Sequence, residues 1–128
     1  MMTTLEAEVY LADRADNHGL SLEQLMDITP ESVADSPVES AMFWEDKHMS
    51  HILPKSLYPS MANDPDNIIP EDAAPNMARG AEVMTDSEIA AAQLDSEYDA
   101  LLIDVMYSGD THYETVEVPD LIPFFGFI

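Results

Sequence analysis

DSEIAAAQLDSEYDALLIDVMYSG, residues 86–109, carries the clearest helical pattern in the chain together with six acidic residues and no basic one. At about 3.6 residues per turn, Leu94, Tyr98, Leu101, Leu102 and Val105 follow the spacing of an amphipathic helix, and that stripe is expected to face the core. Asp86, Glu97 and Asp104 then project from one flank and Glu88, Asp95 and Asp99 from the other, so that two acidic rows border the buried face. Thr85, Asp86 or Ser87 can cap the start and Gly109 the end. LLIDVMY within the same stretch also reads as a strand, joined through a Ser-Gly-Asp turn to the β-branched and aromatic THYETVEV of residues 111–118. A long helix and a shorter helix followed by a hairpin are therefore both open.

The charge of the remainder agrees with this stretch. Twenty-six Asp and Glu face only Arg14, Lys47, Lys55 and Arg79, a net charge of −22 in 128 residues. The apolar fraction of 46% is ordinary for a folded protein, so the acidity does not by itself signal disorder. Self-repulsion on this scale costs stability, and it disfavours direct binding to nucleic acid or to an anionic membrane. A basic, DNA- or RNA-binding protein is the expected partner. Without cysteine there is no disulfide, thiolate ligand or thiol nucleophile, which fits a reducing compartment. No basic, apolar leader and no apolar run near 18 residues occurs, so the expectation is a cytoplasmic protein that does not span a membrane.

Towards the N-terminus the pattern predicts a helix over 5–16, with Leu5, Val9 and Leu11 or Ala12 inside and Gly19 as a stop, and a second, short helix opened by the capping box SLEQ at Ser21. Thr29-Pro30 and Ser36-Pro37 mark two further starts with proline at the first helical position, Glu39 completing a capping box at the latter. From Pro37, the positions Val38, Ala41, Met42, Met49, Ile52 and Leu53 predict a helix of about sixteen residues, ended by Pro54 and apolar on two sides because of Phe43 and Trp44. Five prolines between Pro54 and Pro75 then predict an ordered but extended arm over 54–80 without regular elements, pinned by Tyr58, Met61, Ile68 and Ile69. The expected fold is α+β and predominantly helical within one domain. It comprises several short helices, a longer acidic helix near 86–107, the proline-rich arm, and a small β-hairpin near the C-terminus followed by an apolar tail that docks on a core or a neighbouring subunit.

Motifs for chemistry are sparse. Glu45 and His48 stand at i, i+3, the spacing found twice in di-iron carboxylate bundles, but here it occurs once, and His18 and His112 are isolated. NDPDNIIPED and ADRADNHG lack the residue order of a calcium loop. There is no G-x-S-x-G motif and no glycine-rich phosphate loop. No metal, cofactor or enzymatic activity is expected. Asp120, Ile122, Pro123 and Phe124 resemble the acidic tip of bacterial single-stranded-DNA-binding proteins; that family ends at the phenylalanine, whereas four residues follow here, and no function is carried over.

Carboxylates at i, i+4 and i, i+7 on a helix lie about 6 and 10 Å apart along its axis, bracketing the spacing of successive phosphates. The expectation from charge is thus an acidic DNA mimic, phage- or mobile-element-encoded, that inhibits a host enzyme of restriction, CRISPR or DNA-repair type. Asp86, Glu88, Asp95, Glu97, Asp99 and Asp104 would bind the partner, helped by Glu82, Asp110, Glu114 and Glu117, with Ile89, Ile103 and Tyr107 as a homo-oligomer seam or partner anchor. A virion or assembly protein acting through the proline-rich arm and apolar C-terminus is the alternative, and adaptation to high salt a third.

Overall fold

In the computed structural model, which describes residues 2–107, there are six α-helices and a small antiparallel sheet of two strands. The helices are α1 (Thr4–Asn17), α2 (Leu22–Asp27), α3 (Glu31–Ala34), α4 (Pro37–Glu45), α5 (Ala73–Arg79) and α6 (Asp86–Tyr107); the strands are β1 (His48–His51) and β2 (Ile68–Glu71). The expected THYETVEV strand and hairpin, and the apolar tail, lie outside the described residues.

Local signals set most helix starts. Thr3 and Glu6, and Ser21 and Gln24, form complete capping boxes at α1 and α2. Gly19 closes α1 at φ 70°, its N–H donating to Asp16 O and the following Leu20 N–H to Ala15 O, a Schellman turn that favours glycine. A side chain there would also meet Asn63, whose Cγ lies 2.6 Å from an ideal Cβ. Thr85 caps α6 reciprocally with Glu88, at 3.2 and 2.8 Å, and the helix runs unbroken to Tyr107, so LLIDVMY is helical rather than a strand.

Two caps depart from expectation because the core claims their side chains. Pro30 is the N-cap of α3 rather than its first residue, and Thr29 turns inward, donating to Leu25 O at 2.7 Å and accepting from the Trp44 indole at 2.9 Å. Ser36 does cap α4, but the Glu39 side chain does not reach back to it; it points toward α6. Trp44 and Phe43, packed edge to face at 5.4 Å, form the centre of the core with Leu25, Val33, Ala41 and Ile68.

The helix expected to run to Pro54 stops at Glu45. Lys47 turns inward, and HMSH pairs as a strand with IIPE, His48 opposite Glu71 and His51 opposite Ile68. The Glu45–His48 helical spacing therefore does not exist, and His48 is an exposed strand residue whose Nδ1 accepts from Asn76 at 3.0 Å. The 54–80 segment likewise contains more than an extended arm: two 3-10 turns, β2 and α5. Asn67 organises it from a buried position, accepting from Leu53 N–H and donating to the carbonyls of Leu53 and Met61 at 2.8–3.1 Å. These bonds stand in for ladder partners that the prolines cannot supply.

The largest departure concerns which faces are buried. In α6 the inward positions are Ala92, Ser96 and Ala100, flanked by Ile89 and Ile103, whereas Leu94 and Tyr98 are 69% and 61% exposed and Leu101 and Leu102 are also exposed. Helix α1 repeats this choice, burying Ala7, Leu11 and Ala15 and exposing Leu5 and Val9. Small residues allow a backbone to approach its neighbours closely, and α6 lies against α3, α4 and β2, where Ser96 donates to Pro70 O. A larger side chain at Ala100, which is fully buried, has no room. Ala100→Leu is expected to cost about 1–3 kcal/mol in urea unfolding, whereas Leu94→Ala stays within about 0.5 kcal/mol of the parent.

Candidate protein-interaction surface

The distribution of cations defines the surface. The Lys47 side chain is 1% exposed, and its ammonium donates to Asp72 Oδ1 at 2.8 Å and Asp99 Oδ2 at 2.7 Å, beside the Phe43 ring. Burial alone would lower its pKa, but the hydrogen bonds and charges of the two carboxylates outweigh this and the net shift is upward. Arg79 forms a two-pronged pair with Glu71, each side chain 5% exposed, and reaches Glu88 at 3.6 Å. Ser50 connects Glu71 to Asn76 with two 2.7 Å hydrogen bonds. Arg14 is half-buried, bonded to the carbonyls of Trp44 and Lys47 and to the Tyr10 hydroxyl, and stacked over Trp44 and Tyr10. Of the four basic residues only Lys55 is exposed. The exposed charge of the described residues is thus almost entirely negative.

The residues singled out from the sequence divide into two groups. Asp86, Asp95, Glu97 and Glu82 are exposed. Glu88, Asp99 and Asp104 are half-buried and engaged within the fold. Glu88 accepts from the Thr85 N–H, which together with Arg79 holds its carboxyl below the usual carboxylate range; Asp99 holds Lys47; Asp104 meets Glu39. The two rows are therefore not equivalent ladders along α6. Ile89 and Ile103, considered as an outer seam, pack partly buried against the chain's own core because α6 is rotated from the expected orientation, while Tyr107 remains exposed. Asp110, Glu114 and Glu117 lie outside the described residues.

Sequence periodicity also missed Glu39, which is 6% exposed on α4 and has one oxygen, Oε1, without a hydrogen-bond partner among the described residues. Desolvation, a hydrogen bond with Asp104, and the charges of Asp104 and Asp35 push its pKa up to about 7. A carboxyl whose pKa is higher folded than unfolded binds more protons in the native state, so its stabilising contribution is full below the unfolded value and is lost as pH rises through about 7.

The open clefts beside α6 bring together Thr29, Pro70, Gln93 and Glu97 on one side and Lys47, Asp99 and Leu102 on another. His18 and His51 donate to the backbone carbonyls of Arg14 and Ala62. Among the described residues no three His, Asp or Glu side chains converge as a metal site, and no helix is long and apolar enough to cross a membrane. No family model matches the chain, and no curated protein or solved structure is detectably similar to it.

Two substitutions test these internal charges. Lys47→Met leaves Asp72 and Asp99 facing each other without a cation and is expected to lower stability by about 1–3 kcal/mol in urea titration. Glu39→Gln removes a proton-linked cost, so it is expected to stabilise the protein by about 1–3 kcal/mol at pH 8. That advantage should shrink to near zero by about pH 4.5 when thermal melts of the two proteins are compared across pH.

Proposed function

We propose that this chain is an acidic interaction protein that binds a basic, nucleic-acid-binding protein and occupies the surface its target uses for phosphates. The single observation behind this reading is the burial or engagement of three of the four cations, which leaves Lys55 as the exposed one. Carboxylates at Asp86, Asp95 and Glu97 on α6 and at Glu8, Asp13 and Asp16 on α1 face solvent and take part in none of the ion pairs among the described residues. Such a surface raises the local concentration of cationic partners and offers their Arg and Lys side chains the acceptors they use for phosphate.

The mimicry in this reading belongs to the surface as a whole. A ladder along one helix is interrupted where Glu88, Asp99 and Asp104 turn to internal partners. The target class that fits is a host enzyme of restriction, CRISPR or DNA-repair type, and the chain would act as its inhibitor without chemistry of its own.

Binding to a purified cationic DNA-binding protein, followed by displacement of its labelled DNA, tests the proposal. Affinity should fall at least about tenfold between roughly 50 and 200 mM salt. Asp86→Asn, Asp95→Asn and Glu97→Gln together should weaken it further without lowering the melting temperature. Salt-independent affinity, or failure to compete with DNA, would overturn it.

A further inference from the structure

The outer face of α6 has a second property besides charge. Ala91, Leu94, Tyr98, Leu101 and Val105 follow one another at spacings of 3, 4, 3 and 4, the a and d positions of a heptad repeat. Ala91, Leu94, Tyr98 and Leu101 are exposed, Val105 is half-buried, and Leu102 and Met106 extend the apolar strip. The strip is about 21 Å long at 1.5 Å per residue. Its apolar positions cannot be serving the chain's own core as described, because Ala92, Ser96 and Ala100 on the opposite side do that.

Heptad spacing specifies the shape of what fits. Knobs at a and d interlock with a second helix that carries the same spacing, and the residues beside the seam select its charge. Here the exposed charged neighbours are Asp95 and Glu97, and α6 contains no basic residue. A second copy of α6 would set carboxylates against carboxylates with no cation on either side, in parallel or antiparallel order. A helix with Lys or Arg beside its apolar seam would satisfy both the knobs and the charges.

We infer that the outer face of α6 is a docking face for a basic amphipathic helix of the target protein, with Leu94 and Tyr98 as the central anchors and Asp95 and Glu97 as its charge selectors. This rests on the acidic-interaction reading above and adds to it the form of the partner element. Helix α6 is already held by its inner face, so only the incoming helix has to be ordered on binding.

The test uses the full chain and two labelled peptides of identical composition. One has Leu at a and d with Lys and Arg at e and g over three heptads; the other is the same residues shuffled. In fluorescence anisotropy at about 150 mM salt, the heptad peptide should bind at least about tenfold more tightly than the shuffled one. The double variant Leu94→Ser with Tyr98→Ser should abolish that preference and leave shuffled-peptide binding unchanged. Both side chains are largely exposed, so its circular dichroism and urea midpoint should match the parent. Independently of that variant, p-benzoylphenylalanine placed at position 98 should photo-crosslink to the heptad peptide. Equal binding of the two peptides would overturn the docking face and leave the acidic-surface reading standing; binding of neither would overturn both. Crosslinks at saturating peptide that map instead to a second copy, or to residues 108–128 of the same chain, would show the strip already covered and overturn the proposal.

Discussion

The ammonium of Lys47, enclosed between Asp72 and Asp99, draws together three parts of the chain that otherwise carry the same sign of charge. It lies just after α4, its partners lie at the start of α5 and midway along α6, and its own backbone carbonyl accepts from Arg14 on α1. A buried ammonium is tolerated only when its desolvation is offset by close opposite charges, and two carboxylates provide that. The geometry also accounts for the end of α4. Were the helix to continue to Pro54, Lys47 would be carried round with it and β1 could not pair with β2. Arg79 does the corresponding work between Glu71 and Glu88.

Interior pairing has an external consequence. Every cation directed inward subtracts a positive charge from the surface, so the interactions that hold an acidic chain together also purify the sign of its exterior. The carboxylates that complete these pairs are the ones lost from the expected rows: Asp99 to Lys47, Glu88 to Arg79 and the cap. Asp104 is drawn in differently, by a hydrogen bond with Glu39, whose carboxyl burial pushes toward the protonated form. Stability and surface charge are thus set by the same small group of residues, and the proposed interaction surface is what remains after the fold has taken its share.

Packing decides the second property of that surface. Helix α6 crosses α3, α4 and β2 at close range, and Ala92, Ser96 and Ala100 permit the approach where Leu94, Tyr98 and Leu101 would hold the helix away. Because α1 also buries Ala7 and Ala15 and exposes Leu5 and Val9, the same choice is made at both helices. The Trp44–Phe43 pair, with Leu25 and Ile68, already fills the central volume, leaving no space for a further row of large side chains from α6.

Much of the secondary structure was legible from residues close together in the chain. The capping box at Ser21, a cap at Thr85 and the stop at Gly19 rest on contacts within a few residues, which sequence displays directly, whereas the second half of 86–107 reads as either helix or strand until its packing is known. The excess of acid was equally plain. What the sequence could not determine were choices made by distant partners. Among them are the turn of Lys47 toward Asp99, 52 positions away, and the pairing of HMSH, which has little strand character, with IIPE. The recruitment of Thr29 by Trp44, the burial of Glu39, and the side of α6 that faces inward belong with them. A helical stripe tells which residues share a face; whether that face is buried depends on how much room the rest of the core has left, and only the tertiary structure decides that.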